Sequence, residues 1–171
     1  QDRNVQLAIA AGQHAAIAVS LVQWSTRVSQ SVSLGWSAIR TPSDAAAAAR
    51  AIANTSRQWL PGGTGLAAGI AFCTRHFQAL PFQASRRTID VSGDGDDNEG
   101  GDVAGARAAA LAAQVTINGL PIISGSPTIA DYYANEVIGG PDCFYVPAAT
   151  IMDFGEAMTR KLLREVEANA A

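Results

Sequence analysis

Histidine, cysteine and methionine each occur only twice in these 171 residues. A structural zinc site of the Cys/His kind needs more of these ligands than the chain has. Cys73 and Cys143 are too few for a disulfide scaffold and read as two buried thiols, with a single bridge as the alternative. Charge is scarce at 16%, with a net value of −3, and basic residues never cluster beyond Arg86-Arg87 and Arg160-Lys161. That argues against electrostatic capture of nucleic acid or an anionic membrane. No apolar run approaches the ~20 residues of a membrane-spanning helix. G-x-S-x-G, G-x-G-x-x-G and a P-loop lysine are all absent. The chain opens at Gln1 without a basic segment followed by an apolar stretch, so a signal segment is expected to have been removed by processing or to lie ahead of an incomplete N-terminus. What is abundant is apolar residues, at 48%. At this length they suffice for one domain with a sizeable core, spanning 1–171.

Strand-like and alanine-rich helical runs alternate along the chain. Residues 15–24 (AAIAVSLVQW) form a continuous apolar run of strand length, as a strand covered on both faces requires. Residues 28–36 alternate apolar and polar, and the short connection predicts an antiparallel hairpin. Thr41, Pro42 and Asp44 open a helix with a capping box, and alanines at 45–49 sustain it. A break at 60–63 precedes a helix over 65–77, with Leu66, Ile70, Cys73 and Phe77 at helical spacing. A strand at 87–91 then runs into the acidic loop 92–102, SGDGDDNEGGD. Asp102 is placed to cap a helix over 103–114, followed by a strand at 115–123, an irregular or partly helical stretch at 124–142, and a short strand at 144–146. Thr150 and Asp153 open a last helix whose stripe is Ile151, Phe154, Met158, Leu162 and Val166. The order predicts an α/β fold. Its sheet is open, doubly wound and mostly parallel, with one antiparallel edge strand and helices on both faces.

Ligands in such sheets sit beyond the carboxyl ends of the strands, which points to the acidic loop. Asp94, Asp96, Asp97, Asn98, Glu99 and Asp102 crowd it, so it is either a solvated rim or a site for a hard cation. It is not an EF-hand: Asp94, Asp96 and Asn98 fit, but Glu99 stands in place of the turn glycine and Gly105 in place of the bidentate glutamate. His14 and His76 fall away from the strand ends and read as surface or capping residues, and Cys73 lies on an apolar stripe with no base beside it. These placements leave no catalytic residue to name. Gly62, Gly63, Thr64 and Gly65 form a glycine-rich helix start with no basic partner, so the threonine is directed at a shared site rather than a phosphate. Tyr132 and Tyr133 either pack the 132–141 loop on the core or offer a partner surface, packing being the preferred reading.

The strings AVSLVQWS, GGTG and RTIDVSGDG resemble a von Willebrand factor type A domain. More closely, RRTIDVSGDGDDN, VTINGLPI, YYANEVIGGP and KLLREV resemble the bacterial exported proteins of the domain of unknown function 1194 family, over nearly the whole chain. The resemblance implies a metal-ion-dependent adhesion site for Mg²⁺ or another divalent cation. Carried over by position, Thr64 and Asp94 are its ligands, with Ser92 and Asp96 behind them. Asp90 is read as structural, and Asp96, Asp97 and Glu99 as a solvated rim. The family's Asp-x-Ser-x-Ser loop and the strand before it do not occur in this chain. Residues 1–12 correspond to the end of the family's first helix and its exit, so the domain is expected to be N-terminally incomplete.

That strand belongs in the middle of the family's sheet, between the AVSLVQW and TIDVS strands. Its absence predicts two unpaired edges, which recruit a strand or aggregate. A longer polypeptide, a bound N-terminal fragment or another subunit would supply the strand; direct pairing of the two flanking strands is the remaining option. The function implied is a non-catalytic protein-interaction module of the bacterial cell envelope, periplasmic or extracellular. Its partner protein would dock through an acidic side chain at the metal. The alternative is a purely structural subunit with a degenerate metal site. An enzyme is not expected.

Overall fold

The computed structural model describes residues 2–12, 14–60, 62–124 and 126–167. Helix α1 (Arg3–Ala11) is capped by Asp2, whose carboxylate accepts from the amides of Asn4 and Val5. Strands β1 (Ile17–Trp24) and β2 (Gln30–Ile39) form the expected antiparallel hairpin, with bulges around Ser20 and Leu21. β2 starts and ends later than the alternation suggested, because Val28 is spent in the turn, 82% exposed. Helix α2 (Pro42–Ala53) carries the predicted Thr41–Asp44 capping box, and α3 (Leu66–His76) follows. Strand β3 (Arg87–Gly93), helix α4 (Val103–Ala112) and strand β4 (Val115–Pro121) form a core unit of two parallel strands and a connecting helix. Asp102 caps α4 as expected, accepting from the amide of Gly105. Helix α5 (Ile129–Tyr132) continues into a wider turn at Tyr133–Val137, and α6 (Phe154–Glu167) closes the fold after a short 3₁₀ turn with the predicted Thr150–Asp153 capping box.

The fold is mixed α/β, but the strands form two small sheets rather than one. β1 pairs with β2, and β3 pairs with β4. The predicted strand at 144–146 is reduced to isolated bridges on the far edge of β4, with Gly119 and Ile122 facing Tyr145 and Ala148. β4 is thereby enclosed laterally, and all seven of its residues are buried. A run such as VTINGLP can be buried throughout because both faces are covered. One face of β3–β4, with Ile89, Val91, Val115 and Ile117, packs with Leu66 and Ile70 of α3, Val103 and Ala110 of α4, and Tyr133 and Val137. A second cluster joins Ile9, Ile17, Val19, Ile39 and Ala48 to Val166 of α6. A third joins Leu120, Ile122 and Ala148 to Ala157.

β1 and β3 are not paired with each other, so the two flanking strands do not close on one another directly. They are nonetheless neighbours. The Trp24 ring lies within 3.4 Å of where a side chain would begin on Gly69 and on Gly93. The same two helices serve both sheets. α3 supports β3 through Ile70 and reaches the hairpin through His76, which bonds the Ser20 hydroxyl at 2.9 Å and stacks on Trp36 at 5.1 Å. α6 shares an apolar cluster with β1 and β2 through Val166 and meets β3 through Lys161.

His76 and the stripe of the last helix sit elsewhere than expected, whereas His14 and the two unbridged cysteines sit as read. His76 is a packing residue between α3 and the hairpin, half-buried, and burial lowers its pKa. His14 is exposed. Cys73 and Cys143 are free, half-buried thiols; burial pushes the Cys73 thiol up to about 11. The stripe read on the last helix is shifted. Ile151 is 64% exposed, and the buried positions of α6 are Ala157, Lys161 and Val166.

Candidate functional site

Three loops converge where β1 and β3 end. The chain leaves β1 at Ser25, whose carbonyl accepts from the amide of Gly65 at 2.7 Å. A Cβ on Gly65 would sit 2.5 Å from the backbone of Thr26 and Arg27, so only glycine lets the α3 start approach the hairpin turn this closely. This contact fixes the 62–65 loop beside the hairpin. The same loop is tied to the acidic loop by a reciprocal pair of bonds. The Thr64 amide donates to the Asn98 side-chain oxygen at 2.7 Å, and the Asn98 amide donates to the Thr64 carbonyl at 3.1 Å.

Asp97 supplies the remaining closure. One of its carboxylate oxygens accepts from the Ala67 amide at 3.0 Å, at the positive end of α3. The other accepts from the amides of Glu99 at 3.2 Å and Gly101 at 2.9 Å. The Asp97 amide donates to the Tyr132 hydroxyl at 3.2 Å. Asp97 is therefore not part of a solvated rim. It is the strut of the loop, and its charge is committed to backbone donors. Glu99 is likewise half-buried, lying against Gly63. Asp94 and Asp96 do remain exposed.

The structure brings Thr64 to the residue after Asp94: a Cβ on Gly95 would meet the Thr64 hydroxyl oxygen at 3.1 Å. Ser92, half-buried, is the last residue but one of β3, just before this loop. Among the described residues, no group of three or more His, Cys, Asp or Glu side chains is arranged to hold a metal ion. Crowding in sequence did not become convergence in space, because Asp97 turns inward to the amides while Asp94 and Asp96 point to water.

The tyrosines pack, as the preferred reading had it. Tyr133 is 0% exposed in the main core, and Tyr132 is half-buried with its ring edge-on to Tyr133 at 6.4 Å. The Tyr133 hydroxyl is buried without a hydrogen-bond partner and close to Gly93; burial raises its pKa strongly, with Tyr132 and Asp94 adding to the effect.

The sequence reading missed the charged centre on the opposite face of β3. Lys161 is 0% exposed. Its ammonium contacts Asp90 and lies 2.5 Å from a Glu165 oxygen. That same oxygen accepts from the Asn118 amide nitrogen at 2.6 Å, and the Asn118 side-chain oxygen accepts from the Phe144 amide at 3.0 Å. Lys161 and Arg164 also lie over the Phe144 ring at 5.4 and 4.0 Å. Asp90 is structural, as read, but as the open end of this chain of bonds. Solvent still reaches 29% of its side chain. Protein crowds it closely enough that burial raises its carboxyl to about 7, against the pull of Lys161 and with Glu165 adding to the rise. The available signal was an acid inside the strand TIDVS, Asp90, together with the i, i+4 pair Lys161 and Glu165.

No curated protein matches the chain. Residues 1–170 match the family model described as protein of unknown function (DUF1194), and the chain belongs to that family.

Proposed function

We propose that the protein is a non-catalytic protein-interaction module of the bacterial cell envelope, built as an open, doubly wound von Willebrand A-like domain. The observation that carries this reading is the meeting of the 62–65 loop with the acidic loop at the ends of β1 and β3, with the Thr64 hydroxyl against Gly95. In the proposed site Thr64 and Asp94 hold a divalent cation, Mg²⁺ by preference, with Ser92 and Asp96 behind them. Two protein oxygens, one of them a carboxylate, suit an ion that keeps several waters in an octahedral shell. The cation supplies an open position for a partner's carboxylate, so the site docks rather than reacts.

Calorimetric titration with Mg²⁺ and Mn²⁺ tests the reading. Saturable binding that is lost in both Thr64→Ala and Asp94→Asn is expected. Absence of binding, or binding indifferent to both changes, refutes it.

A second reading is a structural subunit with a degenerate metal site. It is favoured by the commitment of Asp97 to backbone amides and by the lack of a ready three-ligand cluster among the described residues.

A further inference from the structure

Tyr133 opens the wider turn Tyr133–Val137, and its ring lies against two strand glycines. A Cβ on Gly119 of β4 would stand 2.8 Å from the ring carbon Cδ1. A Cβ on Gly93 of β3 would stand 2.9 Å from the hydroxyl oxygen. Side chains at these positions would displace the ring, so the two glycines let it cross β4 and bring its hydroxyl to the end of β3.

That hydroxyl is buried and has no hydrogen-bond partner. A phenol carries a donor as well as an acceptor, and buried tyrosines normally bond theirs. Leaving it unpaired lowers stability in a way that phenylalanine, of the same shape, would not. Two neighbouring polar groups are already engaged. The Gly93 carbonyl accepts from the Ile122 amide at 2.9 Å, and the Tyr132 hydroxyl accepts from the Asp97 amide at 3.2 Å. Asp94, next to Gly93, is not engaged: its carboxylate is exposed and bonded to nothing among the described residues. Its charge is near enough to raise the pKa of the Tyr133 phenol. An exposed carboxylate loses rotamer freedom when it is fixed on a ligand, and a donor already held in place by packing lessens that loss.

We propose that Tyr133 is a positioning residue of the Thr64–Asp94 site: its hydroxyl donates to one oxygen of the Asp94 carboxylate and leaves the other for the cation. This rests on the metal reading of that site and adds to it a buried residue that does not touch the ion. A phenol donating to a carboxylate makes a charge-assisted bond, stronger than one between neutral groups.

The test compares the parent chain with Tyr133→Phe, which keeps the ring and removes the donor. Calorimetric titration with Mg²⁺ is expected to give binding about tenfold weaker in the variant, while its urea midpoint is unchanged or higher. A second readout uses the parent labelled with ¹³C at the tyrosine Cζ. The Tyr133 signal, known by its absence from Tyr133→Phe, is expected to shift on saturation with Mg²⁺ and to stay still in Asp94→Asn. Should Tyr133→Phe fail to fold, the Cζ signal is assigned by relaxation from a spin label on the acidic loop, and its response to Mg²⁺ decides. Parent binding with equal affinity in Tyr133→Phe, or with a Tyr133 signal that ignores Mg²⁺, overturns this proposal and leaves the metal reading standing. Absence of Mg²⁺ binding by the parent overturns both.

Discussion

Lys161→Met tests how the buried charges are balanced. The methionine keeps most of the aliphatic volume and removes the ammonium that contacts both Asp90 and Glu165. Breaking a buried ion pair by deleting one partner costs about 3–5 kcal/mol. The lower end applies here, because 29% of the Asp90 side chain remains in contact with water. The pH dependence has a definite sign. Burial already raises the Asp90 carboxyl from 3.8 to about 7, and Lys161 opposes the rise. Between those values the folded state holds a proton that the unfolded state has released. This carboxyl's favourable contribution is therefore fully present in acid and is lost as pH climbs from about 4 through 7. Without Lys161 the rise is larger and the loss steeper. Urea unfolding of both proteins at pH 5 and pH 8 reads the effect. Lys161→Met is expected to be destabilised by about 3 kcal/mol at pH 8 and by clearly less at pH 5, and adding Asp90→Asn is expected to restore part of the deficit. A variant within about 1 kcal/mol of the parent at both pH values would show that the network carries no such energy. A larger loss at pH 5 would show that the assigned direction is wrong.

Two further changes probe the backbone. Gly65→Ala drives a methyl group into the backbone of Thr26 and Arg27 and threatens the Gly65–Ser25 bond, so a loss of about 2–4 kcal/mol in urea unfolding is expected. Gln114 follows α4 with φ +59°, a left-handed conformation that favours glycine. Gln114→Gly is expected to raise stability by about 0.5–1 kcal/mol, read as a higher thermal midpoint; an unchanged or lower midpoint would count against this strain.

The local signals in this sequence are strong, and most of the elements follow from them. Both capping boxes, the Asp102 cap, the β1–β2 hairpin and the fully buried β4 are decided by neighbours within a few residues or by an unbroken apolar run. These features need no knowledge of the remainder of the chain. The candidate site was legible only in part. Residues at strand ends converge by the logic of α/β sheets, and the fold does bring the Thr64 hydroxyl against Gly95. Whether six oxygen-bearing side chains form a rim or a cluster depends on which amides they meet, and only the fold brings the α3 start to Asp97. His76 shows the same limit, since the Ser20 and Trp36 that hold it lie far away in sequence. Lys161 shows it most clearly. A lysine on a helix reads as solvent-facing, and its complete burial is decided by Asp90, 71 positions earlier, which supplies the countercharge that makes burial tolerable. Periodicity and capping act through the local chain, so the sequence alone determines the elements. Sheet partition and charge burial depend on contacts between distant segments, so the tertiary structure alone decides which strands pair and which ions meet.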